Sequence, residues 1–168
     1  MMMRGRALIV LLAITLPGCG YGFRGTLPSH LQTIAVPTFV NRTSEPGVEN
    51  FLTRAVVEAF SSNGRLRVVE PETADSILDG EVTGYELQSI AFDSTANVRL
   101  YRLLVTMNLR YRDVKEEKLL FERRGYQERA DFRVSGIVSD TIAREQGALR
   151  TAAVDIARAI VSFTLERF

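Results

Sequence analysis

The clearest pattern in the sequence is a regular alternation of apolar and polar side chains over residues 98–111. Apolar side chains stand at every second position from Tyr101 to Tyr111, with arginine, threonine and asparagine among the residues between them. Since successive side chains of a strand point to opposite faces, the segment predicts a β-strand with one apolar and one polar face. Strand-like stretches over residues 76–92 and 119–132 flank it, beyond the turn sequences DSTAN and DVKEEK. The three predict an antiparallel meander of long strands, buried on one face only.

Two further segments have the apolar spacing of amphipathic helices. In residues 48–61 the apolar positions fall on one side, and Asn63-Gly64 provides a stop. In residues 142–166 a second stripe is formed by Leu149, Ala153, Ile156, Ile160 and Phe163. Two such helices and a half-buried sheet can cover each other's apolar surfaces. The predicted fold class is therefore α+β, a two-layer sandwich with both helices packed on a mostly antiparallel sheet.

Shorter strands are predicted over residues 33–39 and 66–70. Pro37 lies inside the first, and proline cannot donate a ladder hydrogen bond, so this strand is expected at an edge or a bulge. Gly80 and Gly84 lie inside a strand-like segment and not between a strand and a helix. They predict a bulge or a close backbone approach, and not a phosphate-binding loop.

The N-terminus has the layout of a secretory signal over residues 1–18, with a basic start and an apolar run at residues 7–16. That run is well short of the roughly 20 residues needed to span a membrane. The sequence Leu16-Pro17-Gly18-Cys19 resembles a bacterial lipobox, and Cys19 is the one cysteine of the chain. We therefore expect Cys19 to be acylated and to anchor the protein, with Gly20 after it indicating the outer membrane by resemblance to the lipoprotein sorting rule. The expected organisation is a removed signal at 1–18, a lipidated linker at 19–30 and one α+β domain at 31–168.

Charge is unevenly distributed, although the net charge is only +1. Residues 99–133 hold ten basic and six acidic residues, whereas the rest of the chain after residue 18 is acidic. One interpretation is an ordinary solvated sheet face; the other is a surface for anionic headgroups, phosphates or an acidic partner. On the second interpretation the candidate ligand-binding residues are Arg99, Arg102, Arg110, Arg112, Arg124, Arg129 and Arg133.

The residues that usually carry catalysis are scarce. The one histidine is His30, in the linker, and the one cysteine is expected to carry lipid, so we predict no metal site, no cofactor and no enzymatic activity. Secretion also argues against nucleic acid as a partner.

Two alternatives for the function stay open. One is a freestanding lipoprotein that binds a lipid or peptidoglycan fragment in an apolar pocket. The other is a hydrolase with close, buried carboxylates of raised pKa, for which Asp79, Glu81 and Glu86 are the nearest set.

The order of these parts resembles the LptE family of lipopolysaccharide-assembly lipoproteins. The resemblance rests on CGYGFRG at residues 19–25, the strand-helix-strand start, the meander and the closing REQGALRTAAVDIARAIVSFTLERF. It implies a plug inside the LptD outer-membrane β-barrel that helps the barrel fold and contacts lipopolysaccharide, with the lipid anchor in the inner leaflet of the outer membrane. Where the family carries basic contact residues, residues 92–95 and 137–140 have no cation, which points instead to Arg99, Arg129 or Arg133.

The acylation hypothesis predicts that Cys19→Ala gives a soluble or signal-retaining chain, because the thiol that receives the lipid is gone. The measurement is metabolic labelling with a fatty acid analogue. Label that persists in the Cys19→Ala chain would contradict the assignment.

Overall fold

The computed structural model describes residues 27–94, 97–133 and 138–165, and it describes side chains in these ranges except at residues 138–141. The expected signal, Cys19 and most of the linker lie outside the described residues.

The described chain forms one six-stranded sheet and two long helices. The elements are β1 (Thr33–Ala35), β2 (Val40–Asn41), α1 (Val48–Asn63), β3 (Arg67–Val68), a 3-10 turn (Pro71–Thr73), β4 (Ser76–Phe92), β5 (Val98–Asp113), β6 (Lys118–Arg133) and α2 (Val138–Leu165). The strand order is β3-β1-β4-β5-β6, and β2 pairs with β4. Strands β4, β5 and β6 are antiparallel neighbours, while β1 is parallel to both β3 and β4. The predicted α+β class with two helices and a mostly antiparallel sheet is confirmed.

Both helices pack on the same face of the sheet. From α1, Leu52, Val56 and Phe60 are fully buried, and from α2 so are Ile156 and Ile160. They meet the apolar face of β5, which buries a continuous row: Leu103, Val105, Met107, Leu109 and Tyr111. The alternation in the sequence therefore predicted the buried face correctly. None of the described helices covers the opposite face of β4, β5 and β6, which is called the open face below.

The start of the sheet is held by a polar network that is partly buried. The Asp75 carboxylate accepts hydrogen bonds from the backbone N–H of Gln32 and Thr33, at 3.1 and 2.9 Å, and from the Thr33 hydroxyl at 2.7 Å. These bonds, with the Thr33 hydroxyl first, outweigh burial and hold the pKa of Asp75 below its usual value. Deeper inside, the Tyr111 hydroxyl donates to Ser76 at 3.0 Å, and Ser76 donates to the Thr33 carbonyl at 2.8 Å. The network ties β1 to β4 and β5.

The strand predicted over residues 33–39 is wrong in its extent and position. The structure has two short strands, β1 and β2, with Pro37 in the gap between them. Strand β1 lies between β3 and β4 and is not at an edge. This is possible because Pro37 falls outside the strand, so its missing N–H costs no ladder hydrogen bond.

The glycines in β4 serve close packing and a bulge, as predicted. A Cβ at Gly80 would lie 2.6 Å from the Phe39 ring, which is itself only 2% exposed. The register against β5 shifts between Val82 and Gly84, which marks a β-bulge. Gly80 is therefore the place where the segment between β1 and β2 rests directly on the sheet.

We expect Gly80→Ala to lower the free energy of unfolding by about 1–3 kcal/mol, because the added methyl group overlaps a buried ring that has no room to move. Urea denaturation of the variant and wild type measures the change. The matched control is Gly147→Ala in α2, where a Cβ meets nothing within 4 Å. That change is expected to add about 0.5–1 kcal/mol through helix propensity. Equal stability of Gly80→Ala and wild type would disprove the close approach.

Candidate functional site

Six of the seven predicted arginines lie on the open face. Arg102, Arg110 and Arg112 alternate with the buried row of β5, and Arg129 and Arg133 alternate with the buried Ala130 and Phe132 of β6. Arg124 is placed on the same face by its contact with Glu122, which also binds Arg110. The sheet thus brings side chains from two strands into one surface, as the period of two in the sequence requires.

Most of these arginines are paired with carboxylates across the strands. Arg102 donates two hydrogen bonds to Asp131, both of 2.7 Å. Arg112 contacts Asp79 at 3.2 Å. The Glu122 carboxylate lies 3.5 Å from Arg110 and 3.1 Å from Arg124. Around these pairs the open face is therefore a surface of mixed charge and not a free cationic surface.

The arginines keep their partners ionised. The Arg102 hydrogen bonds lower the pKa of Asp131, and Arg124 followed by Arg110 lowers the pKa of Glu122. Because these groups are exposed to solvent, such pairs add little to stability. The main effect of these ion pairs is to give the face many charged side chains but little net charge.

Arg99 stands apart from the other six. It lies at the start of β5 and contacts Asp93, in the turn between β4 and β5, at 2.6 Å. The turn is closed by a hydrogen bond from the Asp93 N–H to the Asn97 carbonyl at 2.9 Å. Arg99 thus holds the β4–β5 turn and does not join the open face. Residues 95 and 96 of this turn, like residues 134–137 before α2, lie outside the described residues.

Arg129 and Arg133 differ from the other predicted residues, because their guanidinium groups make no ion pair with any described residue. They flank Asp131 along β6, and Asp131 is already bound by Arg102. Cross-strand neighbours of Arg129 and Arg133 are Leu104 and Leu100. We call Arg102, Arg129, Arg133 and Asp131 the distal arginine cluster, since it lies where β5 begins and β6 ends. It presents three guanidinium groups and one carboxylate.

The carboxylates considered for a hydrolase are engaged in polar contacts. Asp79 binds Arg112, Glu81 binds Arg42 at 2.9 Å, and Glu86 accepts a hydrogen bond from Gln88. The Arg42 contact lowers the pKa of Glu81. Every described carboxyl group with a shifted pKa is shifted downward, namely Asp75, Glu81, Asp113, Glu122 and Asp131. A general acid needs the opposite shift.

A second polar cluster, at the other end of the strands, was missed by the sequence analysis. The His30 ring donates a hydrogen bond of 2.5 Å to Oδ2 of Asp113, whose Oδ1 accepts the backbone N–H of Lys115 and Glu116 at 2.9 Å each. The ligand atoms of His30, Asp113 and Glu116 lie within 4.8 Å of one another, so the set could hold a metal ion. Asp113 is only 1% exposed and already has three hydrogen bonds. We therefore interpret the cluster as a clamp between the linker and the β5–β6 turn.

Comparison with known proteins gives the family. The profile of the family described as "LptE: Lipopolysaccharide-assembly" matches residues 31–164. This chain belongs to the LptE family. The match includes both helices and all six strands, apart from the last residue of α2. No curated protein matches the chain well enough to count as a relative.

Solved structures of the same fold come from several bacteria. A lipoprotein from Caulobacter crescentus is 18% identical, covering 79% of this chain and 87% of its own, with a TM-score of 0.55. A protein from Xanthomonas campestris is 16% identical, covering 80% and 83%, with a TM-score of 0.58. Rare lipoprotein B from Shewanella oneidensis is 18% identical, covering 77% and 92%, with a TM-score of 0.50. At these identities the likeness shows the fold alone.

Membership of the LptE family supports an outer-membrane lipoprotein of the lipopolysaccharide-assembly type. The family also implies interaction with the lipopolysaccharide transport machinery. Within the described residues, neither helix is both long and apolar enough to cross a membrane.

The His30 clamp predicts a pH-dependent contribution to stability. Burial raises the pKa of Asp113, but the hydrogen bonds from Glu116 N–H and the His30 ring outweigh it, and the pKa is lowered. A carboxylate with a lowered pKa stabilises the fold above its unfolded value, near 3.8, and loses this contribution as the pH falls through the folded value. Asp113→Asn should therefore cost about 1–3 kcal/mol at pH 7, and less at pH 3.

Urea denaturation at the two pH values measures this difference. The matched control is Asp79→Asn, which removes an exposed carboxylate beside Arg112 and should change stability by less than about 1 kcal/mol. An Asp113→Asn chain as stable as the control at pH 7 would show that the clamp does not hold the linker.

Proposed function

We propose that this chain is a lipid-anchored lipoprotein that fills the lumen of an LptD-type outer-membrane barrel, assists its assembly and contacts lipopolysaccharide on its way to the outer leaflet. Its anchor is the acylated Cys19, held in the inner leaflet of the outer membrane on the periplasmic side. It works through surface contact and not as an enzyme.

The observation that carries the proposal is the open face. Strands β5 and β6 have 16 residues each, which corresponds to about 50 Å of sheet. The face carries charged and polar side chains along this length, with Leu100 and Leu104 among them near one end, and cross-strand pairs neutralise most of its charge. The interior of a wide outer-membrane barrel is also polar. A slab whose exposed sheet is mostly charge-balanced can be enclosed there with little unpaired charge.

The distal arginine cluster is the part of this face best suited to lipopolysaccharide. Arg129 and Arg133 make no ion pair with described residues, so their fork-shaped donors are available to phosphate groups. Leu100 and Leu104 lie beside them and are partly buried. A phosphorylated glycolipid offers anionic groups for the arginines and apolar surface for the leucines.

The alternatives are less well supported by the geometry. A freestanding lipid-binding protein needs an enclosing apolar pocket, whereas the hollow between the two helices, about 630 Å³, is a groove open to solvent. A second hollow, about 460 Å³, is lined mainly by charged and polar groups of the open face. A hydrolase needs a carboxyl group of raised pKa, whereas among the described residues the shifted carboxyl groups all have lowered pKa values.

The test uses the full acylated chain co-expressed with a tagged LptD barrel and purified in mild detergent. Wild type should be retained with the barrel and with lipopolysaccharide, which is quantified by mass spectrometry. Arg129→Ser/Arg133→Ser should be retained equally well by the barrel but should carry lipopolysaccharide at least about tenfold more weakly, because each charge-assisted hydrogen bond contributes about 1.5–3 kcal/mol.

The matched control is Arg110→Ser/Arg124→Ser, which removes the same charge from arginines already bound to Glu122. It should keep both partners. If wild type does not retain the barrel, the plug proposal fails. If the two double variants lose lipopolysaccharide to the same extent, the contact is not at the distal arginine cluster.

A further inference from the structure

A groove runs along the outer side of the helix layer, between α1 and α2. Its walls come from the second half of α1 and from the last three turns of α2, and it has a volume of about 630 Å³. Alanines at positions 55, 59 and 157 keep the two helices slim here, and Val154 on the rim is 44% exposed. Val161 and Leu165, deeper in the groove, are buried. The groove therefore offers an apolar floor wide enough for a ring.

The rim of the groove carries charges of both signs. Glu58 and Arg65 line it and make no ion pair with the described residues, whereas Arg158 is bound to Asp155 at 2.7 Å. An occupant with apolar rings and a basic side chain would match both the floor and Glu58.

The described end of the linker lies near the end of the groove where both helices end. Arg65 lines that end, and two residues later the Arg67 N–H donates to the Gln32 carbonyl at 3.0 Å. The preceding turn is closed by the bond from the Leu31 N–H to the Pro28 carbonyl at 2.9 Å, and His30 is held by Asp113. These bonds fix the position of residues 28–32 near the C-terminal ends of both helices. The segment before Leu27 therefore starts from that position.

The length and composition of the preceding segment fit the groove. Seven residues, Gly-Tyr-Gly-Phe-Arg-Gly-Thr, separate Cys19 from Leu27. Extended, they span up to about 24 Å, whereas the groove follows α1 from Ala55 to Asn63, about 12 Å of helix. The segment contains two aromatic rings and one arginine, with glycines between them.

We propose that residues 20–26 dock in the groove between α1 and α2, with Tyr21 and Phe23 on its apolar floor and Arg24 near Glu58. The acylated Cys19 then lies beside the helix layer. The domain consequently has a fixed orientation relative to the membrane and is not attached through a flexible linker. This inference goes beyond the proposed function and does not depend on the barrel.

The experiment uses the absence of tryptophan from the chain. In the full acylated protein in detergent, Phe23→Trp introduces a single tryptophan. Quenching of its fluorescence by acrylamide measures how exposed the indole ring is. We expect the quenching constant to rise at least about twofold when Val154→Arg or Ser62→Arg fills the groove, since a docked ring is shielded from the quencher. Ser62 is exposed, so its variant should fold even if Val154→Arg does not.

The matched control is Val40→Arg, a valine of similar exposure, 47%, that lies on β2 and outside the groove. It should leave the quenching constant unchanged, and the detergent contributes equally to all variants. Equal quenching in the groove variants and the control would overturn the proposal. So would shielding that disappears on dilution, because the groove would then be filled by a second copy.

Discussion

The structure depends on one constraint: both helices cover the same face of the long three-stranded meander, and the main core lies on that face. Strand β5 lies between β4 and β6, and its inward side chains from Leu103 to Tyr111 are fully buried beneath both helices. Burying this row removes a large apolar area from water. The same alternation sends the intervening side chains to the open face, and apart from Leu104 these are the polar Thr106, Asn108 and Arg110. The core and the candidate functional surface are therefore two consequences of one sequence period.

Long elements were predictable from the sequence because their periods extend over many residues. Both helices and all three meander strands occur within a few residues of the predicted bounds, and β4 matches at both ends. The segment around Pro37 was not predictable to the same degree, because strands of two or three residues carry almost no periodicity. The parallel pairing of β1 with β3 and β4 is also absent from local sequence, since it depends on how α1 crosses over the sheet.

The candidate site was predictable as a set of side chains but not as a set of contacts. Pairing of Arg102 with Asp131 depends on a register that spans 29 positions, and the His30–Asp113 clamp spans 83. The bulge at Gly125, with φ of 64°, changes which β6 side chains point inward. Before it, Arg123 faces the helices and lies 3.9 Å from the Phe163 ring, a cation–π contact. No pattern in the sequence separates this arginine from its neighbour Arg124 on the open face.

The two ends of the long strands differ in their contacts. Asp113, which holds the linker through His30, ends β5, whereas Arg133 lies opposite Leu100 near the start of the same strand. Thirteen residues of strand separate these two levels, or about 43 Å. Between them the arginines are neutralised by neighbours, and at the far level Arg129 and Arg133 make no ion pair with described residues. The His30–Asp113 contact and these two arginines therefore lie toward opposite ends of β5. Cross-strand pairing leaves the other arginines of the open face in contact with carboxylates, which an incoming anion would have to displace.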